Sequence, residues 1–277
     1  IGLYCRKHAT DVNGFVLGGR SVGPWLTAFA YGTSYFSAVV FVGYAGQFGW
    51  KYGIAATWAG IGNAIIGSLL AWVVLGRRTR IMSQHLDSAT MPQYFGKRFG
   101  SNPLKIGASV IIFIFLIPYT ASLYNGLSRL FGMAFNIDYS VCIIIMATLT
   151  AIYVIAGGYM ATAINDFIQG IIMLFGIVAV IAAVIHSKGG FMSALQGLAN
   201  VSDPAVSKTP GIFASFFGPD PFNLLCVVIL TSLGTWGLPQ MVQKFYAIDN
   251  EASIQKGTVI STIFALIVSG CLLYTSP

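Results

Sequence analysis

The feature that limits this chain most is a succession of long apolar runs. Seven stand out, at roughly 22–46, 54–76, 104–135, 139–157, 163–187, 222–245 and 254–275. A run of this kind crosses a hydrocarbon core of about 30 Å as a helix, and only a helix satisfies its own backbone there. A transmembrane β-barrel would alternate apolar and polar residues over segments of about ten, whereas these runs are continuous. Charged residues make up only 8% of the chain, against about 25% in soluble domains. The fold class is therefore an all-α polytopic membrane protein, with the lipid bilayer as an obligatory partner.

The net charge of +7 has a simple cause in such a protein, the excess of Lys and Arg in cytoplasmic loops; it gives no reason to invoke nucleic acid. With the 77–105 loop in the cytoplasm, alternation places the N-terminal segment, the turn near 157–165 and the 244–257 loop on the same side. That side carries eleven of the fifteen basic residues. The other four, Lys51, Arg129, Lys188 and Lys208, are external, so the orientation is well determined. The count also puts Asp166 at the cytoplasmic end of the fifth span. The longest loop, 188–221, is external and reads either as a surface connector or as a short helix or lid.

Cys5, Cys142, Cys226 and Cys271 show no CxxC spacing and read as small hydrophobes. His8, His85 and His186 form no metal-binding pair, and no nucleophile triad, P-loop or dinucleotide fingerprint occurs. Nothing points to an enzyme or to a cofactor. Ile1 to Cys5 resembles the last turn of an apolar helix meeting a basic loop, and the chain stops at the end of another span. A fragment of a longer protein is expected.

Two spans are interrupted. In the first, Gly32, Thr33, Ser34 and Ser37 cluster inside an apolar run; in the sixth, Gly234, Gly237 and Pro239 stand beside Thr231, Ser232 and Thr235. Gly weakens a helix interior and Pro removes a ladder hydrogen bond. Unwound backbone in a membrane must line a cavity or bind something, and its carbonyls are hard ligands suited to a small cation. The competing reading is that the small residues serve close helix packing. The interruptions are five spans apart. A repeat of five is odd, so a second copy enters the membrane inverted, an architecture common to secondary transporters.

Four segments carry a family resemblance. They are Gly18-Gly-Arg-Ser-Val-Gly-Pro-Trp25, Thr90-Met-Pro-Gln-Tyr-Phe-Gly-Lys-Arg-Phe99, Gly157-Gly-Tyr-Met-Ala-Thr-Ala-Ile-Asn-Asp-Phe-Ile-Gln169 and Gly237-Leu-Pro-Gln-Met-Val-Gln-Lys-Phe245. In their order and placement they resemble the sodium:solute symporter family over nearly the whole chain. The resemblance implies the leucine-transporter fold, ten core helices in two inverted five-helix repeats. Residues 1–21 would be the cytoplasmic end of a leading helix plus a basic loop. Residues 22–187 would be the first repeat, 188–221 an external loop, and 222–277 the first two helices of a truncated second repeat.

The resemblance also implies a sodium site. Its first half maps to the carbonyls of Thr33 and Phe36, and its second half to core helix eight, outside this chain. It places Asp166 on the cytoplasmic exit path of the ion; a cap on the fifth helix is the alternative role. Asn165 stands where the family usually has Thr. The substrate would sit between core helices one, two, three and six. The candidates are Ser34, Ser37, Val40, Asn63, Tyr119, Ser122, Ser232, Thr235 and Trp236. A lone Asn63 equally suits a helix-to-helix bond, and Trp236 equally suits packing. Val40, Ser232 and Thr235 replace the polar residues of the sugar branch, and Pro239 is closer to the proline and organic-acid branch. The expected function is sodium-coupled import of an amino acid or small carboxylate across a bacterial cytoplasmic membrane. The alternative is the membrane domain of a sensor histidine kinase. Oligomeric state is not legible.

Overall fold

The computed structural model describes residues 1–8, 10–36, 46–201, 206 and 209–270. Among the described residues, four helices are long and apolar enough to cross a membrane: Gly46–His85, Asn102–Phe135, Tyr139–Ser187 and Glu251–Gly270. A fifth span is the pair Pro221–Gly237 and Pro239–Ala247, bent by 51°. Helix Pro24–Tyr35 supplies the first half of the first expected span, and residues 37–45 lie outside the described residues.

Local chemistry sets the helix ends. Pro24, Pro103 and Pro221 lie in first turns, where a missing N–H costs nothing. Asp11, Thr90, Ser101, Asp138 and Asp220 accept backbone N–H bonds as caps. The helix Tyr139–Ser187 has 49 residues, about 74 Å at 1.5 Å each, far more than one crossing needs. It divides at Gly158, whose φ of 56° and ψ of −151° are not helical. A Cβ there would lie 2.8 Å from the Phe15 carbonyl oxygen, so only glycine fits both the conformation and the contact.

This junction corrects one expectation. The helix resumes directly after Gly158, so Asn165 and Asp166 lie two turns inside it rather than at its start. Asp166 is therefore not an N-cap.

The core lies among Pro24–Tyr35, Gly46–His85, the bent pair and Glu251–Gly270. Tyr31, Trp72, Phe245 and Phe264 are almost fully buried there. Gly32 is inside this contact, since a Cβ on it would sit 2.4 Å from Phe264 Cδ1. Ser68 and Ser261 share a 2.8 Å hydrogen bond, and the Ser269 hydroxyl donates to the Gly60 carbonyl, polar glue between two spans. The most apolar window of Asn102–Phe135 has none of its residues buried, against 56% for Gly46–His85. Phe113 and Phe115 are exposed along it.

The basic loops meet on one side. The Val22 N–H donates to the Ala247 carbonyl and the Asp249 N–H donates to the Val22 carbonyl, at 3.2 and 3.0 Å. Arg20 donates to the Ser83 hydroxyl and to the Ser83 and Ser88 carbonyls. Arg80, 5% exposed, donates to the Ile248 and Asp249 carbonyls at 2.6 and 2.9 Å. Gln243 donates to the Val16 carbonyl. The N-terminal segment, the 77–105 loop, the Gly158 junction and the 244–257 loop are thus on one side, as the charge count requires. Burial pulls the Arg20 guanidinium below its ordinary pKa, and nearby Asp87 works against this.

The segment 188–221, expected to be external, is more than a connector. It contains helix Phe191–Ala199, and its later part packs on the Gly46–His85 helix. The Trp58 indole donates to the Phe216 carbonyl at 2.9 Å, and Phe213 is buried against Gly53.

Gly158→Ala is expected to destabilise the fold by about 1–3 kcal/mol, the scale of a strained backbone position. Thermal unfolding in detergent would show it; an unchanged midpoint would mean the junction tolerates a side chain.

Candidate functional site

The sixth span breaks where its sequence is richest in glycine. Helix Pro221–Leu233 passes into a 3-10 turn at Gly234–Gly237, Leu238 is extended at φ −70° and ψ 126°, and Pro239 opens the next helix. A Cβ on Gly234 or Gly237 would meet nothing within 4 Å among the described residues. Close packing therefore does not explain these two glycines. It does explain Gly32, which lies inside regular helix; the chain leaves helical conformation at Phe36, with φ −92° and ψ 65°.

Asn63 joins the breaks. It is 5% exposed, and its Oδ1 lies within hydrogen-bond distance of three hydroxyls: Tyr35 at 3.1 Å, Thr231 at 3.0 Å and Ser232 at 3.1 Å. Tyr35 closes helix Pro24–Tyr35, and the two hydroxyl residues precede the Gly234 turn. One amide oxygen has two lone pairs, so the hydroxyls share it. Tyr35 and Thr231 each have a second acceptor, the Thr231 and Val227 carbonyls. Asn63 also begins a π-helical stretch, Asn63–Leu70, a distortion that often marks functional sites. Two carbonyls of that stretch accept side-chain bonds: Gly67 from the Tyr31 hydroxyl at 2.9 Å, and Ile66 from the Trp236 indole at 3.0 Å. A Cβ on Gly67 would collide with the Tyr35 hydroxyl, 2.0 Å away.

A second polar group joins helix Tyr139–Ser187 to helix Pro239–Ala247. Asp166 Oδ2 and Lys244 Nζ are 3.5 Å apart, with side chains 23% and 7% exposed. Gly170, one turn beyond Asp166, touches helix Pro24–Tyr35: a Cβ there would lie 2.7 Å from Phe29 and 3.1 Å from Thr33 Cγ2. Asp166 and Gly170 share a helix face. Asp166 is thus one turn along its own helix, roughly 6 Å of rise, from the point where Thr33 packs.

The remaining candidates sort by position. Ser34 is half-buried on the last turn of its helix, and the Thr235 hydroxyl donates to the Ser232 carbonyl. Ser37 and Val40 lie outside the described residues. Tyr119 and Ser122 are not gathered in with Asn63. Ser122 is exposed and donates to the Tyr119 carbonyl, on a helix that packs chiefly on Met91–Phe99 and Tyr139–Ser187. Arg129 is exposed and bonded to Asn125, as a snorkelling residue would be.

Oxygen predominates in these groups, and the two half-helix ends add fixed partial charges. A helix C-terminus, as at Tyr35, favours a cation, and an N-terminus, as at Pro239, favours an anion. Helix breaks with both polarities at mid-span suit a transporter of small charged solutes.

The family model for the sodium:solute symporter family matches residues 15–275. The chain belongs to this family. It is 31% identical over 253 residues to the osmoregulated proline transporter OpuE of Bacillus subtilis strain 168, covering 90% of this chain and 49% of that protein. It is 32% identical over 266 residues to the sodium/proline symporter of Staphylococcus aureus strain JH9, covering 92% and 49%. The chain spans about half the length of the curated relatives it matches. These relatives are transporters, not enzymes, and with its long apolar helices the chain is a multi-pass membrane protein.

Three participants in these two groups escape sequence reasoning. Thr231 is named beside the sixth-span break but not among the substrate candidates, and Tyr35 is not singled out, because a hydroxyl in an apolar run does not announce its partner. Lys244 was counted as a loop charge, although it lies inside the sixth run. An ionisable residue within a span is a functional candidate in its own right.

Asn63→Leu leaves three hydroxyls competing for fewer acceptors. A loss of about 1–3 kcal/mol is expected, read by thermal unfolding, with Tyr35→Phe costing less. Gly32→Ala should destabilise by about 1–3 kcal/mol through overpacking. Gly234→Ala, in open space, should leave the unfolding midpoint near its starting value while slowing transport. Equal effects at both glycines would contradict their separate roles.

Proposed function

We propose that the protein is a sodium-coupled symporter that imports a small amino acid, with proline as the first substrate to test, across a bacterial cytoplasmic membrane. The observation that carries this is the helix end at Phe36 and the broken helix at Gly234–Gly237, joined through Asn63. Family membership gives the pair its meaning, and the proline transporters among the relatives direct attention to proline. The sensor-kinase alternative draws no support from those relatives.

Sodium and substrate enter from outside as cargo. The carbonyls of Thr33 and Phe36, at the negative end of their helix, supply hard oxygens to the ion. The Thr33 hydroxyl spends its proton on the Phe29 carbonyl at 2.9 Å, which leaves its lone pairs for a cation. The substrate carboxylate meets the positive end of Pro239–Ala247. Ser34, Ser37, Asn63, Ser232 and Thr235 offer polar contacts, and Val40 and the Trp236 indole offer apolar ones. Sodium stabilises the outward-open state, which binds substrate more tightly. Coupling is the difference in affinity of each ligand for the two states. On inward opening the ion leaves past Asp166.

The product of the complete open reading frame, reconstituted in liposomes, should accumulate labelled proline under an inward sodium gradient and not under a potassium gradient. Equal uptake in both would sink sodium coupling. Accumulation of another amino acid or small carboxylate in a panel would correct the substrate alone. Asp166→Asn should raise the sodium concentration for half-maximal uptake about tenfold, equivalent to about 1.4 kcal/mol. An unchanged sodium dependence would remove Asp166 from the exit path.

A further inference from the structure

The Asp166–Lys244 pair does not look like a bridge built for stability. Its 3.5 Å separation exceeds the roughly 2.7–2.9 Å of a firm charge-assisted bond. Lys244 also stands over the Tyr159 ring, 5.1 Å from its centroid. Two places to rest are therefore open to one ammonium group. Three buried polar atoms on the same helix faces have no partner among the described residues: the Tyr159 hydroxyl and both amide atoms of Gln240. Tyr159 precedes Asp166 by two turns, and Gln240 precedes Lys244 by one. The pair also lies between Gly170, where Thr33 packs, and the side on which the basic loops gather.

We infer that Lys244 is a tethered counter-cation for Asp166, holding the carboxylate when the transported cation is absent and yielding it when that cation passes. The inference rests on the reading of Asp166 as a waypoint for the co-transported ion. A carboxylate inside a span needs a positive partner at every stage of the cycle. Sodium alone would meet that need by staying bound, which opposes release. A lysine within reach supplies a competitor at high local concentration. Its ammonium sits on a flexible four-carbon stem. It can step onto the face of Tyr159, where the ring quadrupole attracts it, so neither charge is stranded while sodium is at Asp166. Gln240, one turn away on the Lys244 face, supplies an amide oxygen to whichever cation is displaced. Two cations on one carboxylate repel each other, so occupation by lysine and by sodium are opposed. Lysine 244 thereby weakens sodium binding at this point and hastens the ion's departure.

The test uses the product of the complete open reading frame in lipid nanodiscs, with binding of radioactive sodium as the readout. Lys244→Gln should tighten sodium binding about five- to tenfold, within the usual range of coupling between two sites. Lys244→Arg, which keeps the charge, should tighten it far less. The double variant Lys244→Gln/Asp166→Asn should lose the gain. Unchanged or weaker sodium binding by a folded Lys244→Gln protein overturns the inference. Because removal of the lysine leaves a bare carboxylate and can impair folding, a second measurement uses the unaltered protein. The rate of Lys244 modification by an amine-reactive ester is followed by peptide mass spectrometry, in saturating sodium and in choline. Faster labelling in sodium is expected, and equal or slower labelling overturns the inference. If the unaltered protein binds no sodium, the symporter reading fails and takes this inference with it; the outcomes at Lys244 alone leave that reading standing.

Discussion

In hydrocarbon a backbone carbonyl that loses its helical donor has no water to replace it. Every departure from regular helix in this chain must therefore be matched by a partner from elsewhere in the protein, by a ligand or by access to water. The π-helical stretch at Asn63–Leu70 shows the first solution: Tyr31 and Trp236 donate to its Gly67 and Ile66 carbonyls. The Phe36 end and the Gly234–Gly237 turn are positioned around that stretch, and Asn63 ties both to it. Through this one requirement, the first, second and sixth spans are held at a common depth. Fold and site are here the same set of hydrogen bonds.

Sidedness follows from a different force. The excess of basic residues in three segments, with alternation of spans adding the turn near 157–165, places all four together by the logic of membrane insertion, and the structure finds the same segments in contact. Arg20 reaches the carbonyls of Ser83 and Ser88, and Arg80 those of Ile248 and Asp249. A count of charges and a set of hydrogen bonds are independent observations, and they agree on which loops share a side.

The spans were legible because lipid demands long apolar runs, and the break in the sixth span because Gly234, Gly237 and Pro239 are poor helix formers. Gly32 misled, since a glycine that admits a Phe264 ring looks the same in sequence as one that frees the backbone. Asp166 was noticed as a carboxylate in an apolar run, but its register within the helix was not. Gly158 turns the chain in a single residue, leaving no turn-rich segment between the two helices to mark the boundary. Tyr119 and Ser122 had the right polarity and depth yet lie on a helix directed toward other neighbours, a matter of tertiary packing that local pattern does not encode. Lys244 was hidden by its position near the end of a run, where lysines ordinarily reach water.

The clasp between the basic segments has one more property. Arg20 and Arg80 find most of their acceptors in main-chain carbonyls at positions 83, 88, 248 and 249, and the Val22 contact is wholly main-chain. Every amino acid carries a carbonyl. The residues on the receiving side are therefore free to drift through mutation while the joint persists, so long as the loop keeps its path. In distant copies of this architecture the joint would survive as two arginines facing loops of unrelated composition, and comparison of side chains alone would overlook it.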